Sequence, residues 1–143
     1  MSKSEQLTFV LWGSGFEEVM AAIFITELRR ANRRVKLVGL TRRATGGAYG
    51  LALVPDLSLD EARLMAANAA WVIVPYRSSG LSQLQTDPRL PDFFRAAHQA
   101  RFITGPLAET DRSLFPPDCQ RTEIDPGDEG LVGWVRGVVN RLQ

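Results

Sequence analysis

Residues 7–15 read Leu-Thr-Phe-Val-Leu-Trp-Gly-Ser-Gly. An apolar run of this length that stops on Gly13-Ser14-Gly15 predicts a buried strand ending in a tight turn. The next residues predict a helix. Phe16, Val19, Met20, Ile23, Phe24 and Leu28 recur at helical spacing, Glu17 and Glu18 suit its positive first turn, and Arg29 and Arg30 suit its negative last turn. Asn32 is the predicted left-handed stop.

Outward from this unit the same alternation continues. Arg34–Leu40 predicts a second strand, Thr45–Gly47 a turn, and Tyr49–Val54 a third strand. Ser58 with Glu61 three residues on is a capping box opening a short helix through Met65. Ala70–Val74 predicts another buried strand, followed by a loop over Pro75–Gly80. Pro88 and Pro91 open a helix with Leu90, Phe93, Phe94 and Ala97 on one face. Arg101–Thr104 enters a strand that breaks at Gly105 and Pro106. The stretch with Pro116, Pro117, Pro126 and Gly127 reads as loop-rich, with one short strand near Gln120–Ile124. Leu131, Trp134, Val135, Val138, Val139 and Leu142 form an amphipathic last helix.

Strands that are apolar along their whole length and alternate with helices predict an α/β fold, a three-layer α/β/α sandwich with a mostly parallel sheet covered on both faces. The 143 residues predict one domain spanning 1–143. In such sheets ligands bind beyond the carboxyl ends of the strands. That directs attention to Gly13–Glu18, Pro75–Gly80 and Thr104–Leu107.

Composition narrows the chemistry. One cysteine, Cys119, and one histidine, His98, exclude an internal disulfide and a Cys/His zinc site. A net charge of +1 gives no electrostatic case for nucleic acid. The six arginines and Lys36 between Arg29 and Arg43 carry a local +7, read as a solvated helix end and loop. The polar N-terminal residues and the lack of a long apolar run lead us to expect a cytoplasmic protein without a membrane span.

Several segments together resemble the ThiJ/PfpI superfamily, which has a class I glutamine amidotransferase-like fold. They are Gly15-Phe16-Glu17-Glu18, Leu28-Arg29-Arg30-Ala31, residues 54–62 (Val-Pro-Asp-Leu-Ser-Leu-Asp-Glu-Ala), Val72-Ile73-Val74-Pro75 and Ile103-Thr104-Gly105-Pro106. Their order and spacing match from about Leu7 to Glu109. The resemblance implies a flavodoxin-like sandwich, a homodimer, and a cysteine on a strained strand-to-helix turn. A first-helix glutamate meets that thiol in the family, and the amides of a Gly-Gly loop form an oxyanion site.

The family's chemical groups are replaced in this chain. Aligned through Gly105 and Pro106, the cysteine position is Ile103 and the glutamate position is Met20. The Gly-Gly pair becomes Tyr76 and Arg77, and His98 precedes the elbow. A β-branched residue disfavours the positive φ of such an elbow, so residue 103 is expected in ordinary backbone geometry. The resemblance then implies a short, divergent pseudoenzyme: a non-catalytic binding or stress-related module with no cofactor and no metal. Against family members the deficit is expected between Pro106 and Leu131.

Competing readings remain. A divergent hydrolase (amidase, peptidase or glyoxalase/deglycase type) would need a re-sited nucleophile such as Thr104, with Glu17 or Glu18 as the acid. The alternative role for Thr104 is a hydrogen bond within the turn. Arg77, Ser78 and Ser79 are candidates for binding a small anion, or Arg77 pairs with Glu17 or Glu18. Cys119 reads as an ordinary thiol with no basic neighbour, and His98 as a surface residue. Gly13-Ser14-Gly15 is a weak dinucleotide signal, because an acid, Glu18, stands where the third glycine belongs.

Overall fold

A computed structural model describes residues 6–76, 87–107, 109–124 and 130–141. The chain runs β1 (Leu7–Leu11), α1 (Glu18–Arg30), β2 (Arg34–Gly39), β3 (Thr45–Gly46), β4 (Ala52–Leu53), β5 (Leu57–Ser58) and α2 (Leu59–Arg63). A 3-10 turn (Ala66–Asn68) leads into β6 (Ala69–Val74). Then come α3 (Arg89–Ala96), β7 (Arg101–Thr104), α4 (Glu109–Arg112), β8 (Gln120–Glu123) and α5 (Leu131–Arg141).

Six strands form one sheet in the order β5-β2-β1-β6-β7-β8, and every pairing is parallel. The strand order turns back on itself between β1 and β6, which makes the carboxyl ends of these two strands the expected ligand crevice. All five residues of β1 are buried, as a strand covered on both faces requires. Side chains alternate between those faces. Phe9 meets Phe93 of α3 edge-on at 5.6 Å, and α2 packs with α3 on that side. On the other side α1 packs with α5, where Phe24 meets Trp134 at 6.2 Å.

Local signals account for the element ends. The Glu17 carboxylate accepts the Val19 N–H at 3.2 Å and caps α1. At the other end Asn32 takes φ 60°. The Asn32 N–H donates to Arg29 O at 3.0 Å and the Arg33 N–H to Leu28 O at 2.9 Å, the paired bonds of a Schellman stop. The capping box forms in both directions, Ser58 N–H to Glu61 at 3.1 Å and Glu61 N–H to Ser58 Oγ at 3.2 Å. Its helix ends at Arg63, two residues before the expected Met65.

Two expectations are corrected. Tyr49–Val54 is not a core strand, and Thr45–Gly47 is not simply a turn. Thr45 and Gly46 pair antiparallel with Leu53 and Ala52 in a small separate hairpin. Gly50, at φ 87°, supplies the left-handed residue of its tip. The apolar side chains that suggested burial face solvent, with Tyr49 82% and Leu51 52% exposed.

Ahead of the loop-rich stretch at Pro116, where the sequence suggests no element, the short α4 forms, and Phe115 stacks on Phe94 at 4.8 Å and meets Phe102 edge-on at 5.4 Å. The basic stretch is largely solvated, as expected, and part of it is ion-paired. Arg29 pairs with Asp56 at 3.8 Å, Arg30 with Glu27 at 3.4 Å, and Arg42 with both oxygens of Glu61, while all three side chains stay exposed.

Candidate functional site at the strand ends

The loops after β1, β6 and β7 meet at the carboxyl end of the sheet. Two backbone bonds tie them, Glu17 N–H to Pro75 O at 2.7 Å and Gly105 N–H to Val74 O at 3.4 Å, and Ala48 N–H to Phe16 O at 2.8 Å adds the β3–β4 hairpin. Phe16 sets its ring edge-on to Tyr76 at 4.6 Å. Gly15, at φ 81°, makes the turn under the Tyr76 hydroxyl, which lies 3.5 Å from where a side chain at residue 15 would begin.

Three positions at which the resemblance puts chemical groups, Met20, Tyr76 and Ile103, fall in the core. Met20 and Ile103 are completely buried and Tyr76 is buried. Ile103 stands within β7, in register with Ile73 of β6 and Thr122 of β8. The one positive φ at a non-glycine described residue is that of Asn32, so the backbone at residue 103 carries no elbow strain. Arg77, Ser78 and Ser79 lie outside the described residues.

Thr104 is fully buried, and its Oγ1 has no hydrogen-bond partner among the described residues. This corrects the expected turn-capping role: the Thr104 backbone carbonyl, not its hydroxyl, holds the next segment, accepting Ile124 N–H at 2.8 Å. The acids proposed beside it are engaged elsewhere. Glu17 caps α1. Glu18 Oε2 accepts Tyr49 N–H at 2.8 Å and Leu51 N–H at 3.0 Å.

Electrostatics follow from these contacts. Burial raises the Glu18 pKa, but the N–H groups of Leu51 and Tyr49 bond the charged form and more than reverse this, leaving it below the usual glutamate value. A carboxylate held ionised in this way is a poor proton acceptor. The Tyr76 phenol is pushed up by burial and by the charge of Asp111, itself buried on α4. It stays protonated at neutral pH.

The remaining sequence candidates are chemically quiet. Cys119 is half-buried, and burial raises its thiol pKa despite the opposing charge of Arg121. The expectation of no basic neighbour is thus corrected, although Arg121 does not activate the thiol. His98 is exposed, its Nδ1 3.1 Å from Arg95 O. Among the described residues no three His, Cys, Asp or Glu side chains gather to hold a metal. No helix there is long and apolar enough to cross a membrane.

This architecture, a parallel sheet in a three-layer α/β sandwich with its topological switch point between β1 and β6, defines the flavodoxin-like class. Within that class the chain has the DJ-1/ThiJ/PfpI fold. It superposes on DJ-1beta of Drosophila melanogaster with a TM-score of 0.74 at 17% identity, over 96% of this chain and 90% of that one. A ThiJ/PfpI domain protein from Brachyspira murdochii gives 0.70 at 14% identity, over 99% and 98%. A DJ-1 superfamily protein from Salmonella typhimurium gives 0.69 at 20%, over 96% and 88%. No protein-family model and no curated protein sequence matches the chain.

The sequence reading missed what Glu18 does. Its partners lie 31 and 33 residues away, and an acid after a strand-end glycine carries no sign of them. Gly46-Gly47 was the available signal. A side chain at residue 47 would begin 2.7 Å from the Glu18 carboxyl carbon and 2.6 Å from the Trp12 ring, so only glycine lets the loop close over both.

Proposed function

We propose that this chain is a non-catalytic protein of the DJ-1/ThiJ/PfpI fold, acting as a binding module and assembling as a homodimer. The observation that carries the reading is the complete burial of Met20 and Ile103. They occupy the positions where the resemblance puts a glutamate and a cysteine. A carboxylate facing isoleucine would be a buried charge without a partner, whereas methionine packs. Both changes therefore serve the core, and neither leaves a nucleophile.

Thr104 is the one hydroxyl that a hydrolase reading would use. Its burial keeps substrate away, and Glu17 and Glu18 are held by backbone N–H groups in other places. The check is turnover of amide, ester and peptide substrates by the purified chain. We expect rates at the uncatalysed background. A rate above it that drops tenfold or more in Thr104→Val would overturn the reading.

The dimer rests on an exposed apolar patch. Val19 is 49% exposed on α1, next to the glutamate that pins the loop bearing Tyr49 and Leu51. Apolar side chains held rigidly at the surface are characteristic of interfaces. Sedimentation at micromolar concentration is expected to give a dimer for the native chain and a monomer for Leu51→Asp. A native monomer would refute it.

A further inference from the structure

A second cleft, of about 840 Å³, opens at the opposite end of the strands, within the size range of small-molecule sites. One wall is the sheet, where Trp71 and Arg101 stand side by side in register, with Ile103 beneath. The other wall is α5, whose Trp134, Val138 and Arg141 share one helix face. Among the described residues no carboxylate lines the cleft.

Its two arginines differ from most in this chain. Those of Arg29, Arg30, Arg42, Arg89, Arg95, Arg112, Arg121 and Arg136 are ion-paired. Arg101 and Arg141 have no acid partner among the described residues. The Arg101 guanidinium instead lies 5.7 Å from the Trp71 ring centroid, a cation–π contact that orients it while leaving its N–H donors available. Two guanidinium groups without an acid partner among the described residues attract an anion. Two half-buried tryptophans offer flat apolar surface beside them.

We propose that this cleft binds a planar aromatic carboxylate. The carboxylate would take charge-assisted hydrogen bonds from Arg101 and Arg141, and the ring would lie against Trp134. Ile103 is the one strand-end position that borders the cleft, and the binding groups are Arg101, Arg141 and Trp134, so success or failure here leaves the catalytic question untouched.

The chain carries three tryptophans, and the third, Trp12, is buried with its indole N–H bonded to Thr45 O at 2.8 Å. Indole N–H resonances therefore report the cleft against an internal control. Titration with 2-naphthoate should shift the Trp71 and Trp134 signals and spare Trp12. The uncharged 2-naphthamide should bind at least about tenfold more weakly, as should naphthoate to Arg101→Gln and Arg141→Gln.

Three outcomes would overturn the proposal. One is no shift with naphthoate, and another is equal binding of the amide. The third is equal binding by both arginine variants while they retain native melting temperatures. If Trp134→Ala alters the sedimenting species instead, the cleft is an interface between copies and the small-molecule assignment fails.

Discussion

Glu18 holds Tyr49: the carboxylate oxygen Oε2 accepts the Tyr49 N–H at 2.8 Å, and the same oxygen takes the Leu51 N–H at 3.0 Å. A helix-start acid, buried at the carboxyl end of the sheet, thus fixes the shape of a loop.

Replacing that charge should loosen the hairpin. Glu18→Gln is expected to lose about 1–2 kcal/mol at neutral pH, because a neutral amide oxygen accepts these bonds more weakly than a carboxylate. The Glu18 pKa is lowered by folding, so its contribution is complete above the usual glutamate pKa and is lost as pH falls through the folded value. Denaturant unfolding of both proteins should show a gap at pH 7 that closes in acid. A gap that widens on acidification would contradict the assignment.

Gly47→Ala tests the same loop from the other side. Its new methyl group would begin under 3 Å from Trp12, Glu18 and the Phe16 carbonyl. Overpacking of this kind costs about 1–3 kcal/mol. We expect a lower melting temperature, whereas Gly50→Ala, which has open space around it but φ 87°, should suffer from backbone strain alone.

Met20 and Ile103 are both buried, and substitution at Met20 tests whether the space around it is filled. Met20→Glu would place a charge at a position without solvent, with an expected loss of about 3–5 kcal/mol. Met20→Leu should cost less than about 1.5 kcal/mol. Thermal denaturation of the two variants makes the comparison, and a nearly neutral Met20→Glu would mean an open, hydrated cavity.

Much of the fold was legible because several signals agreed in each element. Residues 7–11 and 69–74 are apolar in long runs, the Ser58–Glu61 box marks its helix, and Asn32 stops α1 with the backbone angle its side chain tolerates. The run from Tyr49 to Val54 misled for a physical reason. Apolarity normally reports burial, but here it belongs to a surface hairpin whose conformation is set by a distant carboxylate and by glycine at 47 and 50. Phe115 was similarly opaque, since its stacking on Phe94 joins segments 21 residues apart in sequence.

The candidate site was legible only as substitutions. The sequence places Met20 and Ile103 in the strand-end motifs but cannot say that both are sealed in the core. It gave no hint of the Trp71–Arg101 cleft either, whose walls come from β6, β7 and α5. Each wall alone reads as an ordinary amphipathic element.

The central claim is that the strand-end constellation performs no chemistry, and methylglyoxal consumption tests it most directly. The purified chain and a heat-denatured sample of it, at equal concentration, should consume the aldehyde at the same slow rate through their exposed arginines and Cys119. A faster native rate that saturates with substrate and falls in Thr104→Val would contradict the account.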